Sequence, residues 1–502
     1  MEGKGNRQTV LRSLTEVFDR QKNAFGRCAP LGLEKRLEAL DGLLQSVVNH
    51  QEELIEAVSS DFGNRAAAET RILEIVPVVD EIRFVKRHLR RWMRTRSVAA
   101  NWQFRPGRAK MVYQPLGVVG VIGAWNYPVL LTLSPLANAL AAGNHVIVKP
   151  SEVAPLTAEV IRRIIREVFS EEYVAVIAGD KEVAAVFCTL PFDHVLFTGS
   201  AEVGKLVMKA AAENLTPVTL ELGGKSPALV HGSFAMETAA DRICSTKFWN
   251  AGQTCVAPDY VLVPEKKQDE FVSSCEASIA KRYSRFLSNA DYTHMISEGA
   301  WERMRELVED AKSKGARVVQ ADAIEDGAAA RNRSFPPTLI VGANDSMQVM
   351  QREIFGPILP IVAYGSLDDA VKFINARPRP LALYYFDRDK RRINEVLGRT
   401  TSGGVAINDC IFQFVQHRLP FGGVGPSGMG SYHGFAGFET FSKKKGVFLQ
   451  SGVTGAVFDR VLKPPYTSTT DRVIGFLLGR SRVRPIQRIE LPGSAEETGV
   501  RN

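Results

Sequence analysis

The 502-residue chain is 45% hydrophobic and carries a formal net charge of +8, so it can bury more than one core and is only mildly basic for its length. Its six cysteines, Cys28, Cys188, Cys244, Cys255, Cys275 and Cys410, contain no CxxC pair and no Cys/His spacing suited to a metal cage. That argues against a disulfide framework and a structural zinc site, and the opening "MEGKGNRQTVLRSLTEVF" lacks the apolar core of a secretory leader, so the expected compartment is the cytoplasm.

The first hundred residues read as helices. "GLEKRLEALDGLLQSVVNHQEELIEAVSSDFG", 32–63, spaces its apolar residues by three and four between charged faces. The densest basic run, "KRHLRRWMRTR" at 86–96, has no accompanying stacking aromatics or DNA-binding motif, so it reads as a solvated helix end rather than a nucleic-acid site. From Met111 to Val148 there is no Asp, Glu, Lys or Arg, a length that could span a bilayer. "WNYP", "SPLANALAAGN" and several glycines break it into short apolar strands joined by a small-residue helix, the pattern of a buried parallel sheet. Strand and helix then alternate through "HVIVKP", "TAEVIRRIIREVF", "AVIAG", a helix from Lys181, "HVLFTGS" and "EVGKLVMKAAAENL". The alternation restarts at "SPALVHG" and continues through "YVLVPE", "DEFVSSCEASIAKRY" and "SFPPTLIVG". The expected class is α/β, with two doubly wound domains. The segment after about Gly452 reads as partly ordered and then loose.

One phosphate-site candidate stands at "FTGSAEVGKLV", 197–207. Gly199, Gly204 and Lys205 nearly complete GxxxxGK[ST], but Leu206 occupies the position whose hydroxyl would ligate magnesium, which disfavours an NTPase. GxGxxG is missing too. A glycine opening a helix after a strand still offers amide groups to a phosphate, and Ser200 adds a hydroxyl; a plain strand-to-helix turn explains the segment equally well.

The most distinctive thiol is Cys255 in "FWNAGQTCVAPDY", where Gly252 permits an unusual turn and Pro258 follows. Around it stand "GVIGAWNYP" at 120–128, "KPSE" at 149–152, "FTGS" at 197–200, "LELGGKSP" at 220–227, "GQTC" at 252–255, "EIFGP" at 353–357 and "LPFGGVGPSGMG" at 419–430. These seven motifs, in this order, resemble the aldehyde dehydrogenases over roughly residues 10–450. "RPLAL" at 379–383 and "SYHGFAGFETFSKKKGV" at 431–447 resemble the fatty- and aromatic-aldehyde branch, within it the bacterial coniferyl-aldehyde dehydrogenases.

The resemblance implies roles. Cys255 would be the nucleophile, Asn126 and the Cys255 backbone N–H the oxyanion donors, and Glu221 the general base. Lys149 and Glu353 would hold the two riboses of the cofactor, with Phe355 packing beside the nicotinamide ribose. Gly199, Ser200 and Gly204 would lie near the pyrophosphate and adenine, and Leu222 also belongs to the cofactor site. Glu152 would accept from a ribose 2′-hydroxyl and repel a 2′-phosphate, which favours NAD while leaving NADP as a poorer cofactor. No metal is implied.

The resemblance also divides the chain. Residues 1–222 would bind NAD(P), with oligomerisation-hairpin strands near 97–115, and 223–415 would carry the nucleophile. Residues 416–450 would return to the cofactor domain, and 451–502 would form a tail. "MVYQPLGVV" and "FSKKKGV" resemble the family's oligomerisation hairpin, so a homodimer acting on a small-molecule aldehyde is expected, without nucleic acid or a membrane span. Tyr127, Trp249, Phe412 and Phe414 are candidates to line an apolar tunnel, and His433 is either at the substrate cavity or a surface or hinge residue. Two competing readings are a CoA-acylating relative, which typically lacks the base that Glu221 supplies, and a non-catalytic binding protein, which would not need Cys255, Asn126 and Glu221 together.

Overall fold

A computed structural model describes residues 2–320 and 332–478. The chain divides into two compact units, Met1–Arg94 with Tyr113–Lys444, and Thr95–Val112 with Lys445–Asn502. Most of a three-stranded sheet belongs to the smaller unit, in the order β1 (Arg96–Val98), β2 (Arg108–Pro115) and β16 (Ser442–Leu449). β1 and β2 run antiparallel with Arg96 opposite Met111. Helices Gly452–Val461 and Ser468–Leu477 follow, which agrees with partial order after Gly452; the end of the tail lies outside the described residues.

Two further sheets organise the larger unit. The first has six strands in the order β15-β7-β6-β3-β4-β5. These are β3 (Val118–Ile122), β4 (His145–Lys149), β5 (Val174–Val176), β6 (His194–Thr198), β7 (Val218–Glu221) and the short β15 (Gly428–Met429). All neighbours are parallel except β15, which pairs antiparallel with β7 and sets Gly428 opposite Glu221. Every residue of β3, β4 and β6 is buried, as expected of strands covered on both faces. The charge-free stretch is thereby explained. Its helix, Leu130–Ala142, is buried along its whole length and stops at Gly143, whose φ of 91° fits a left-handed cap. Among the described residues no helix is long and apolar enough to cross a membrane.

The second sheet has seven strands in the order β10-β11-β12-β9-β8-β13-β14. They are β8 (Pro227–Val230), β9 (Tyr260–Pro264), β10 (Arg317–Gln320), β11 (Thr338–Val341), β12 (Ile358–Tyr364), β13 (Ala382–Phe386) and β14 (Gly404–Ile407). Only the β10–β11 pair is antiparallel.

The helices of the first hundred residues include Leu33–Asn49, Gln51–Phe62 and Val76–Trp92. The periodic stretch 32–63 is therefore two helices, parted at His50. Leu40, Leu43, Val47, Leu54 and Val58 supply its fully buried stripe. In the basic run, Leu89 and Trp92 face the core, Lys86 pairs with Asp41, and Arg90 lies 3.7 Å from Glu34.

Candidate active site

The strand order places β4 and β6 on opposite sides of β3, so the connections leave β3 in opposite directions. Crevices at the carboxyl ends of such strands are the usual ligand positions of open α/β sheets. The carboxyl ends here carry the sequence candidates. β3 ends at Ile122 and feeds the loop bearing Asn126; Lys149 closes β4; Gly199 and Ser200 follow β6; Glu221 closes β7. Register binds them together: Ile122 sits opposite both Lys149 and Phe197, and Thr198 sits opposite Glu221.

Cys255 comes from the other sheet's connection, between helix Met236–Lys247 and β9. A short turn, Trp249–Gly252, takes positive φ at three successive residues: 51° at Asn250, 49° at Ala251 and 72° at Gly252. Such backbone is costly for residues with a Cβ and needs external support. A Cβ on Gly252 would collide with the carbonyl of Gly356, so "GQTC" rests directly on the backbone of "EIFGP". Gln253 is fully buried and clamps the loop: its Nε2 donates to Asn250 O at 3.0 Å and His294 O at 3.1 Å, and its Oε1 accepts from Ile296 N at 2.9 Å. Thr254 Oγ1 and Tyr127 OH lie 2.6 Å apart.

These contacts bring the Asn126 loop and the cysteine loop together. Asn126 Nδ2 donates to Gln253 O at 3.2 Å, and Asn250 Nδ2 donates to Asn126 O at 2.9 Å. Cys255 itself remains partly exposed, whereas Cys188, Cys244, Cys275 and Cys410 are buried. The Cys255 thiol is pushed up to about 12, mainly by desolvation and then by Glu353 and Glu221, against hydrogen bonds from the backbone N–H groups of Cys255 and Val256. Both carboxylates therefore act electrostatically on the sulfur.

Glu221 is 2% exposed, and neither carboxylate oxygen is hydrogen-bonded within the described structure. Desolvation alone holds it well above the ordinary carboxylate range. Glu353 is raised to about 8, first by desolvation and then by Asp259, against the Gly224 N–H, Lys225 and Arg303. Its carboxylate packs where a Cβ on Gly223 would sit, which is why this position is glycine. Phe355 has a φ of 50° and meets the Trp125 ring edge-on at 5.4 Å.

The remaining candidates gather at the β4, β6 and β7 ends. Ser200 is the N-cap of helix Ala201–Ala212, accepting from Val203 N at 3.3 Å, and Gly199 N donates to Glu221 O at 3.0 Å. Gly204 is buried against Leu222, whose Cδ2 lies 2.8 Å from where a Cβ would stand. Lys149 is not a surface lysine: only 1% exposed, it donates to Glu152 Oε2 at 2.8 Å.

Other expectations need adjustment. Tyr127 is a core residue engaged with Thr254, not an open lining group. Trp249 and Phe412 form an edge-to-face pair at 6.1 Å with Phe412 exposed, whereas Phe414 packs on Phe421 and His433. His433 is no surface residue; it is 4% exposed, wedged among Phe414, Phe421 and Tyr432, with Nδ1 3.1 Å from Phe414 O. The sequence reading also missed the buried Arg65, Glu74 and Asn250 and the largely buried Glu69, polar groups that surround the Asn126 loop. Only the four-residue spacing of Arg65 and Glu69 hints at a pair, and that spacing is commonplace on solvated helices.

Comparisons with known proteins give the family. Residues 12–447 match the aldehyde dehydrogenase family, and the chain belongs to it. It is an oxidoreductase acting on aldehydes, with a nicotinamide cofactor. It is 47% identical to a probable coniferyl aldehyde dehydrogenase of Pseudomonas aeruginosa, across 93% of this chain and 96% of that one. It is 42% identical to a coniferyl aldehyde dehydrogenase of a Pseudomonas species, across 93% and 96%. Among solved structures, a substrate-bound AldH of Staphylococcus aureus superposes with a TM-score of 0.86 at 37% identity, covering 92% of this chain and 99% of that one. An NAD+ complex of a Mycobacterium tuberculosis aldehyde dehydrogenase gives a TM-score of 0.79 at 26% identity, covering 88% and 91%.

Proposed function

We propose that the chain oxidises an aromatic aldehyde of the coniferyl type, or a medium- to long-chain aliphatic one, to its carboxylic acid through covalent adducts on Cys255, with NAD as the preferred oxidant. The observation that carries this reading is the convergence at one thiol of two loops and two carboxylates: Asn126 on Gln253, and Glu221 and Glu353 acting on the sulfur.

Burial and the neighbouring carboxylates hold the Cys255 thiol high, so Sγ must give up its proton before it attacks the carbonyl carbon. The resulting thiohemiacetal oxygen carries negative charge, which Asn126 Nδ2 and the Cys255 N–H stabilise by donation. The chemistry a bound nicotinamide supplies is acceptance of hydride from the adduct carbon, which leaves a thioester on Sγ. Glu221 then takes a proton from water as the water attacks the thioester carbon, releasing the acid and the thiolate. A desolvated carboxylate with no competing hydrogen-bond donor has the basicity for that step.

The donor set fits a dinucleotide. The Ala201 and Glu202 amides at the start of Ala201–Ala212 and the Ser200 hydroxyl suit phosphate oxygens. Thr198 Oγ1 is buried there without a partner. Lys149 and Glu152 suit the hydroxyls of one ribose and Glu353 those of the other, with Phe355 alongside and Leu222 and Gly204 forming an apolar floor. The proposed division therefore keeps 1–222 and 416–450 as the cofactor part and 223–415 as the nucleophile-bearing part. A homodimer through the β2 and β16 region completes the reading, checked by light scattering on the purified protein.

The test is reduced-nicotinamide absorbance on mixing with coniferyl aldehyde, benzaldehyde and alkanals of graded length, with NAD or NADP, and with or without coenzyme A. CoA-independent formation of the acid is expected. Turnover that requires CoA, or no reduction with any aldehyde, would overturn the proposal.

A further inference from the structure

Arg65 has no place in the chemistry above, yet its side chain has 0% exposure. Its Nη1 donates to Glu74 Oε1 at 2.8 Å and to Asn126 O at 3.3 Å, and its Nε lies 3.4 Å from Glu69 Oε1. The guanidinium also covers the rings of Tyr127, at 4.8 Å, and Phe62, at 5.3 Å. Both carboxylate partners continue the contact. Glu74 Oε2 accepts from Val129 N at 2.7 Å and Leu130 N at 3.2 Å, fixing the end of the Asn126 loop where the helix begins. Glu69 Oε1 accepts from Asn250 N at 2.9 Å and from Thr293 Oγ1 at 2.9 Å, bracing the first positive-φ residue of the cysteine loop.

A buried ion triad is weak evidence of stabilisation, because desolvation offsets much of the attraction. What this one does provide is direction. The Asn126 carbonyl is held by two donors, Arg65 Nη1 and Asn250 Nδ2, so its peptide plane, and with it the exit vector of the Asn126 side chain, is fixed. Nη1 alone donates to both Glu74 and the Asn126 carbonyl, while Nε at the other side of the plane holds the charge of Glu69 at 3.4 Å; a lysine ammonium, a single point charge, cannot span both carboxylates and the carbonyl. We propose that Arg65 is a positioning residue that acts through Asn126, setting the amide of the oxyanion site in register with Cys255. This rests on the reading of Asn126 and Cys255 given above.

The test is a double-mutant cycle on the full-length enzyme with NAD and benzaldehyde. Arg65→Lys should lower kcat about 10- to 100-fold, the scale of a small misplacement of a catalytic group. In an Asn126→Ala background, where no amide remains to be aimed, the same change should cost less than about twofold. The rate of Cys255 alkylation by iodoacetamide, a displacement that forms no oxyanion, should stay within about threefold of wild type. Glu69→Gln, which keeps an oxygen for Asn250 N but weakens the hold on Arg65, is read in the same cycle, with a smaller kcat loss and the same dependence on Asn126. That variant decides the matter if Arg65→Lys does not fold. An equal kcat loss in both backgrounds, or a parallel fall in alkylation, would reduce Arg65 to a structural role and overturn the proposal. So would a kcat unchanged within twofold. If Asn126→Ala itself leaves kcat intact, the oxyanion reading fails instead, and the two failures are told apart.

Discussion

Replacing Glu221 with Gln should separate the two halves of the reaction. The side chains have nearly equal volume, and Glu221 is 2% exposed, so no cavity opens and the local packing survives. What is lost is a proton acceptor, and a positioned general base contributes about 10²–10⁴-fold, or about 3–5 kcal/mol of barrier at 1.36 kcal/mol per tenfold. Adduct formation draws on Cys255 and Asn126, so one equivalent of reduced nicotinamide should form per site before turnover stalls. Stopped-flow absorbance reads the burst, and intact mass spectrometry reads an acyl group on Cys255. The substitution should also stabilise the fold in one pH window. Glu221 titrates higher folded than unfolded, so its protonated form favours the native state at low pH, and that contribution fades as pH rises. Gln removes the liability, and the variant should melt above wild type at about pH 9 but not at about pH 4. Steady-state acid release within about threefold of wild type, with no acyl adduct, would refute the assignment of the base.

Cys255→Ser should abolish aldehyde oxidation while NAD binding, followed by fluorescence, stays near wild type; residual turnover within tenfold of wild type would remove the nucleophile. Glu353→Gln should shift the alkylation profile of Cys255 to lower pH, because the carboxylate is the largest charge raising the thiol; a profile that does not move would place Glu353 too far from the sulfur. Gly223→Ala should displace the Glu353 carboxylate and raise KM for NAD with little change in Tm, measured by steady-state kinetics and calorimetry. Glu152→Gln should narrow the preference for NAD over NADP by about 1 kcal/mol or several-fold in kcat/KM. It removes a repelling charge and frees the buried Lys149 ammonium for a 2′-phosphate, and an unchanged ratio at fixed ionic strength would show that this pair does not face the ribose.

The α/β alternation was legible along the chain because strands buried on both faces are written as unbroken apolar runs, as in Val118–Ile122 and His145–Lys149. Cys255, Glu221 and Asn126 stood out for a different reason: each lies in a short motif whose glycines and polar neighbours make little sense as core or solvent. Sequence patterning could not reveal which groups share a space. Lys149 reads equally well as a surface lysine until the register of β3 and β4 buries it beside Glu152. His433 and Tyr127 stayed ambiguous because an aromatic lining a tunnel and one in a core have the same local sequence; burial separates them only after the chain is packed. The Arg65–Glu69–Glu74 cluster is the extreme case. Its targets, Asn126, Val129 and Asn250, lie 55 to 181 residues away, so its meaning comes entirely from long-range contacts that no local pattern encodes. The candidate residues were legible in the motifs; their aim depends on desolvation and hydrogen-bond direction, which exist only once distant segments close around the site.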